Sequence, residues 1–171
     1  MGRIDVHHHI FPPQFLKEAP ASANSYRTNP KINGWSLERS LRDLDDNGVD
    51  KAILSFPQPS QWSLAVSEQR RLARFCNDFF AQVVRDRPSR FGLFAGLPPL
   101  SDADGCLAEI DYAFGALKAD ALRLMSSYQD VWLGDKRFAP VMDEINRRAA
   151  VVFVHPDAAV CCRNLMPSLR Q

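Results

Sequence analysis

Apolar positions along the chain switch between two rhythms: short continuous runs, and longer stretches in which they recur every three or four residues. The first run, residues 4–6, leads into three consecutive histidines and predicts a strand. Residues 12–33 break the rhythm. They carry Pro12, Pro13, Pro20 and Pro30 among serines and asparagines and read as one irregular loop, longer than a tight connection needs and of the kind that often serves function. Ser36 can cap a helix through Leu37, Leu41 and Leu44 that stops near Asn47-Gly48. Residues 52–56 form a second strand, stopped by Pro57 and Pro59. Leu64, Leu72, Phe75, Phe79, Phe80 and Val83 mark a helix over about residues 63–87, ended by Pro88.

The alternation continues to the end of the patterned region. Residues 91–97 are a third strand, and Ser101 opens a helix with Leu107, Ile110, Phe114 and Leu117 along one side. Residues 121–125 are a fourth strand, residues 138–148 a helix with Val141, Met142 and Ile145 inside, and residues 151–154 a fifth strand followed by His155. Strands alternating with helices build a parallel sheet, closed or open. A complete eight-unit barrel takes about 250 residues. The expected fold is therefore α/β, a partial (β/α)8 TIM barrel of about five βα units with parallel strands. Residues 1–171 are read as a single domain, the N-terminal part of such a barrel. An open five-stranded sheet is the alternative.

Composition narrows the function classes. Hydrophobic residues are 46% and charged residues 24%, which excludes a disordered chain. The 21 Lys and Arg against 20 Asp and Glu leave +1, no basic excess for nucleic acid or an anionic membrane. No apolar run approaches the roughly 18 residues of a membrane span, and the N-terminus lacks the apolar core of a secretory signal. Cys76, Cys106, Cys161 and Cys162 show no C-x-x-C spacing and read as reduced thiols of a cytoplasmic protein.

The chemistry concentrates in four histidines, all at carboxyl ends of predicted strands. His7, His8 and His9 close the first and His155 follows the fifth. Alternation puts Asp5, His7 and His9 on one face of the strand, and Ile4, Val6 and His8 on the other. In a barrel, Ile4 and Val6 would then face the helices, with His7 and His9 inside. His155 lies at the end of a barrel strand where enzymes of that fold place their chemistry. Three neutral imidazoles, His7, His9 and His155, can bind Zn²⁺ or another divalent metal and leave a position for water, whose pKa the metal lowers towards 7. Taken singly, a His-x-His pair or a strand-end histidine is ordinary structure; their coincidence at strand ends is what favours a site. Asp5 could orient a ligand imidazole or cap the strand start.

Arg123 alternates with Leu122 and Leu124, which points its cation inward as a partner for a substrate carboxylate, or into a buried ion pair. Phe11 and Trp35 flank the irregular loop and could line a pocket for a planar ring, or simply pack the loop. Ser55, Ser126 and Ser127 lack the nucleophile elbow of serine hydrolases, and no glycine-rich phosphate loop is present.

The opening Asp5-Val6-His7-His8-His9-Ile10-Phe11-Pro12-Pro13 resembles the Asp-x-His-x-His start of the amidohydrolase superfamily. It is similar to the branch that includes aminocarboxymuconate-semialdehyde decarboxylase and 6-methylsalicylate decarboxylase. Gly48-Val49-Asp50-Lys51-Ala52-Ile53-Leu54-Ser55 and the run from Trp132 through Phe138-Ala139-Pro140-Val141 to Val154-His155-Pro156 look like the same branch. The resemblance implies a (β/α)8 barrel, usually dimeric, with a divalent metal, commonly zinc, on His7, His9 and His155. It implies loss of CO₂ from an aromatic or unsaturated carboxylic acid as a carbon is protonated. Wider relatives hydrolyse lactones or amides with the metal's hydroxide, and a non-catalytic metal-binding fragment is a third reading. Family members are longer and supply a further histidine and a late aspartate. Neither role has a candidate here, so no general acid or base is assigned and the activity of the 171 residues alone is open. Five-eighths of a barrel also leaves the first and fifth strands as edges unless they pair with each other or with a partner, so such a chain is expected to be marginal, aggregation-prone or stabilised by association, a homo-oligomer being one outcome.

Overall fold

The computed structural model describes residues 2–18, 32, 34–56 and 64–157. In chain order the elements are β1 (Ile4–His9), α1 (Pro13–Glu18), α2 (Leu37–Asp46), β2 (Lys51–Ser55), α3 (Val66–Asp86), β3 (Phe91–Gly96), α4 (Ala103–Gly115), β4 (Ala121–Met125), β5 (Ser127–Tyr128), β6 (Val131–Trp132), a 3-10 turn (Lys136–Phe138), α5 (Ala139–Arg147) and β7 (Val152–His155). Five strands pair in parallel in the order β1-β2-β3-β4-β7. The two-residue strands β5 and β6 form a separate antiparallel hairpin. The expected half-barrel of parallel strands with helices between them is what the chain adopts.

The helix boundaries follow local chemistry. Ser36 accepts from the Arg39 N–H at the start of α2. At its other end Gly48, with φ +61°, lets the Val49 and Gly48 N–H groups return to the Leu44 and Asp45 carbonyls. The helix expected to open at Ser101 is instead capped by Asp102, which accepts from the Gly105 N–H at 3.2 Å. Residues 12–33 are not wholly irregular: Pro13 begins α1, a position where its missing N–H costs nothing. Most of that segment, together with Pro57, Pro59, Ser63, Cys161 and Cys162, lies outside the described residues.

Strand alternation divides the interior into two apolar clusters. Leu54, Leu93, Leu122 and Leu124 face the helices and pack with Leu72 and Phe80 of α3, Cys106 and Ile110 of α4, and Val141 and Ile145 of α5. Ile53, Phe94 and Ala121 point the other way and meet Phe153 of β7. The Phe94 and Phe153 rings stack at 5.4 Å. Burial on both faces explains why these strands read as continuous apolar runs instead of alternating ones.

A buried polar joint ties α3 to the end of β3. The Asn77 amide donates to the Gly96 carbonyl and accepts from its N–H, so the side chain pairs with the strand as a neighbouring strand would. Asn77 and Arg74 both donate to Glu109 of α4, which is 4% exposed. Cys76 and Cys106 are free thiols in the core, as expected, and burial pushes the Cys106 thiol up to about 12. β1 and β7 are the two edges of the sheet. Ile4 and Val6, expected against helices, are instead 60% and 47% exposed and join neither apolar cluster, because β1 is an edge strand and no described helix covers them.

Candidate metal centre

Among the described residues, a group of three ligand-type side chains close enough to share an ion lies where β1 and β7 end. His7 and His9 come from β1, His155 from β7, and one ligand atom from each falls within 4.8 Å of the others. The Nε2 atoms of His7 and His9 are 3.0 Å apart, and those of His9 and His155 are 3.1 Å apart. Four-coordinate zinc with bonds of about 2.0–2.1 Å separates its donors by about 3.3 Å, so the His7–His9 and His9–His155 pairs suit a shared ion after opening slightly, and the widest pair, within 4.8 Å, has to draw in.

The partners of the outer nitrogens favour one tautomer for each ring. His9 Nδ1 lies 3.2 Å from the Ser55 carbonyl and as far from its Oγ. His155 Nδ1 lies 2.8 Å from the Pro156 carbonyl. A carbonyl only accepts, so the Pro156 contact puts the hydrogen of His155 on Nδ1; a hydrogen on His9 Nδ1 serves the Ser55 carbonyl in the same way, and in that arrangement both neutral rings present a bare lone pair at Nε2. Two lone pairs 3.1 Å apart cannot hydrogen-bond to each other, and a proton on His7 Nε2 would serve one of them at most. A cation between them resolves the conflict. Protonation is disfavoured: burial, followed by the Arg123 charge, lowers the His9 pKa to about 3, and the same two causes lower that of His155.

Each ligand-type side chain is fixed by its neighbours. Ser55 ends β2 in direct register with His9. Met125 of β4 pairs with His155, and the following Ser126 N–H donates to the His155 carbonyl at 2.8 Å. Ser126 Oγ also accepts from the Asp157 N–H and donates to its carbonyl, tying down the chain beyond β7. Thus Ser55 and Ser126, without the setting of nucleophiles, are supports of the cluster. The register of parallel strands was the signal for them, and it is not visible in a linear pattern. The Phe153 ring packs edge-on to His7 at 5.5 Å and forms the apolar floor below.

Arg123 is 3% exposed and points with Ala121 to the inner side, as its alternation with Leu122 and Leu124 predicts. Its charge reaches both His9 and His155. Phe11 is 7% exposed and belongs to the main core cluster. Trp35 packs in the helix layer, its ring 6.3 Å from that of Phe79 and its Nε1–H donating to Ser40. Asp5 differs from expectation. The pairing of β1 with β2 shifts between Asp5 and His8, so strict alternation fails there. The Asp5 carboxylate consequently meets the His8 ring at 3.2 Å and the His7 backbone N–H, and does not bond a cluster imidazole.

Residues 4–169 match the amidohydrolase family. The chain belongs to the amidohydrolase family. Among curated amidohydrolase relatives, decarboxylase yanB of Aspergillus niger is 38% identical over 170 residues, covering 96% of this chain and 46% of its own length. The 6-methylsalicylic acid decarboxylase of Penicillium expansum is 35% identical over 91% of this chain and 49% of its own. The crystal structure of 5-carboxyvanillate decarboxylase from Novosphingobium aromaticivorans, complexed with manganese and 4-hydroxy-3-methoxy-5-nitrobenzoic acid, superposes with a TM-score of 0.82 at 22% identity. It is matched over 96% of this chain and 53% of that one, and the likeness shows a shared fold. This amidohydrolase chain spans about half the length of the curated relatives it matches. No described helix is long and apolar enough to cross a membrane.

Proposed function

We propose that this chain is the N-terminal, metal-binding part of a decarboxylase that releases CO₂ from an aromatic or unsaturated carboxylic acid. The observation that carries the proposal is the meeting of His7, His9 and His155 with the His9 and His155 lone pairs turned on each other. All-imidazole donors suit zinc, and a manganese-bearing neighbour makes another divalent ion the alternative. When bound, the metal supplies positive charge that orients and polarises an oxygen of the substrate. Arg123 would add a second fixed cation for the carboxylate. After burial, its charge is the next cause that lowers the pKa of His9 and of His155, which favours the neutral, lone-pair-donating rings. Phe153 and Phe94 exclude water from below the histidines. Phe11 takes the lesser part: buried in the core cluster, it would support the ring-binding wall without gripping the ring. Among the described residues we assign no group that delivers the proton to carbon. We place the protein in the cytoplasm, with a small carboxylic acid as its partner, no nucleic acid or membrane, and self-association through its sheet edges.

The test combines metal analysis with product analysis. Wild type and a His7→Ala/His9→Ala double variant are titrated with Zn²⁺ and Mn²⁺, then assayed for CO₂ release from a panel of hydroxybenzoic acids. Stoichiometric metal in the wild type alone, with CO₂ released, supports the proposal. Acid release from lactones or amides without CO₂ would make the site hydrolytic. Metal without turnover would leave a binding fragment, and no metal in the wild type would refute the site.

A further inference from the structure

On the far side of β1 from the cluster runs a chain of hydrogen bonds that no metal-binding role yet accounts for. Trp35 Nε1 lies 2.9 Å from Ser40 Oγ. Ser40 Oγ lies 3.0 Å from His8 Nε2, and His8 Nδ1 lies 3.2 Å from Asp5 Oδ2. The other carboxylate oxygen of Asp5 accepts the His7 backbone N–H at 2.9 Å. Ser40 is 3% exposed, and His8 uses both ring nitrogens.

The two ends dictate the direction of the chain. An indole N–H can only donate, and a carboxylate can only accept. A neutral His8 must therefore carry its hydrogen on Nδ1 and accept at Nε2. Ser40 must accept from Trp35 and pass its own hydroxyl hydrogen to His8. All four groups are then satisfied in a single sense, Trp35 to Ser40 to His8 to Asp5, and the terminal carboxylate acts on the backbone of His7.

That backbone is where β1 departs from regular pairing. Asp5 stands opposite Ala52 and His8 opposite Leu54, so Val6 and His7 together face the single residue Ile53. A residue inserted in this way lacks a regular place in the ladder. Asp5 bonds the His7 N–H at that point. We propose that Asp5, His8 and Ser40 are positioning residues of the metal centre: their directed hydrogen-bond chain, anchored in α2 and on Trp35, holds the irregular stretch of β1 that presents His7 and His9. This rests on the metal-site reading proposed above. The histidine between the two ligand-type histidines thus works on the opposite face, through the backbone they share.

The experiment measures Zn²⁺ affinity and the visible spectrum of the Co²⁺-loaded full chain. Ser40→Ala removes the link, and Asp5→Asn presents an amide N–H₂ to the His8 donor or reverses the chain's direction. Each should weaken Zn²⁺ binding by about 10- to 100-fold, the usual effect of losing an outer partner, and shift the Co²⁺ bands. The double variant should lose less than the product of the two, because both break one chain. Ser36→Ala is the control: it removes the cap of α2 and lowers the melting temperature without touching the chain, so its Zn²⁺ affinity should match wild type. If Ser40→Ala does not fold, Asp5→Asn at the more exposed end carries the comparison. Wild-type affinity and spectrum in Asp5→Asn would overturn the proposal. Equal weakening in Ser36→Ala would overturn it too, by reducing the role to helix stability. His155→Ala separates the two readings: if it abolishes binding while the chain variants do not, only this inference falls. If wild type binds no Zn²⁺, the metal-site reading falls and takes this one with it.

Discussion

Acidifying the metal-free protein should unfold it along a slope set largely by His9. In the folded chain burial and Arg123 lower its pKa to about 3, whereas the unfolded chain takes up that proton near 6.5. Between these values the unfolded state binds more protons, so stability falls as pH falls. One group with this difference costs about 1.4 kcal/mol per pH unit, or about 2 kcal/mol between pH 6.5 and 5.0. The His155 shift has the same sign and adds to the loss. Carboxylates whose pKa is lowered in the folded state, such as Glu144 at about 2, stay ionised there and begin to cost stability only nearer the ordinary carboxylate range. The measurement is urea denaturation in EDTA at half-unit steps from pH 7.5 to 5.0, for wild type and His9→Gln. The wild-type slope should exceed the variant's by about 1 kcal/mol per unit. Equal slopes would refute the reasoning, because His9 would then not be held neutral by its surroundings.

Further outcomes are expected elsewhere. His155→Ala should lower Zn²⁺ affinity by at least about 100-fold in a competition titration, since the cluster loses one of its three donors. Arg123→Met should tighten Zn²⁺ binding and weaken binding of a benzoate-type carboxylate, because the same buried cation repels one and attracts the other; calorimetry of each ligand separates the effects. Glu109→Ala should cost about 2–3 kcal/mol in urea denaturation, as Arg74 loses its carboxylate partner and Asn77 keeps only the Gly96 carbonyl as acceptor. The purified chain should elute above the size of a 19.3 kDa monomer, and Ile4→Lys with Val154→Lys should shift it towards that size by blunting both sheet edges.

The five strands and the helices between them were legible because each carries its own period and its own stop signal. Asn47-Gly48 ended α2 as read, and the alternation of Arg123 with two leucines placed it on the inner side. The features that escaped depend on pairing between distant segments. Ser55 supports His9 only because β2 lies in register with β1, and Ser126 supports His155 only because β4 adjoins β7. Simple parity places Asp5 with His7 and His9; one extra residue in β1 moves it to His8, and nothing in the local pattern marks that insertion. The β5–β6 hairpin has two-residue strands, too short to leave a period.

β1 and β7 lie at opposite ends of the strand order, yet the Nε2 atoms at their tips are 3.1 Å apart across 146 positions of chain. An ion seated there would act as a clasp between the first and last strands. It could fasten only after nearly all of the described chain had emerged during synthesis. Once fastened, it would oppose peeling of either outer strand, so metal loading would report that the sheet had finished curling.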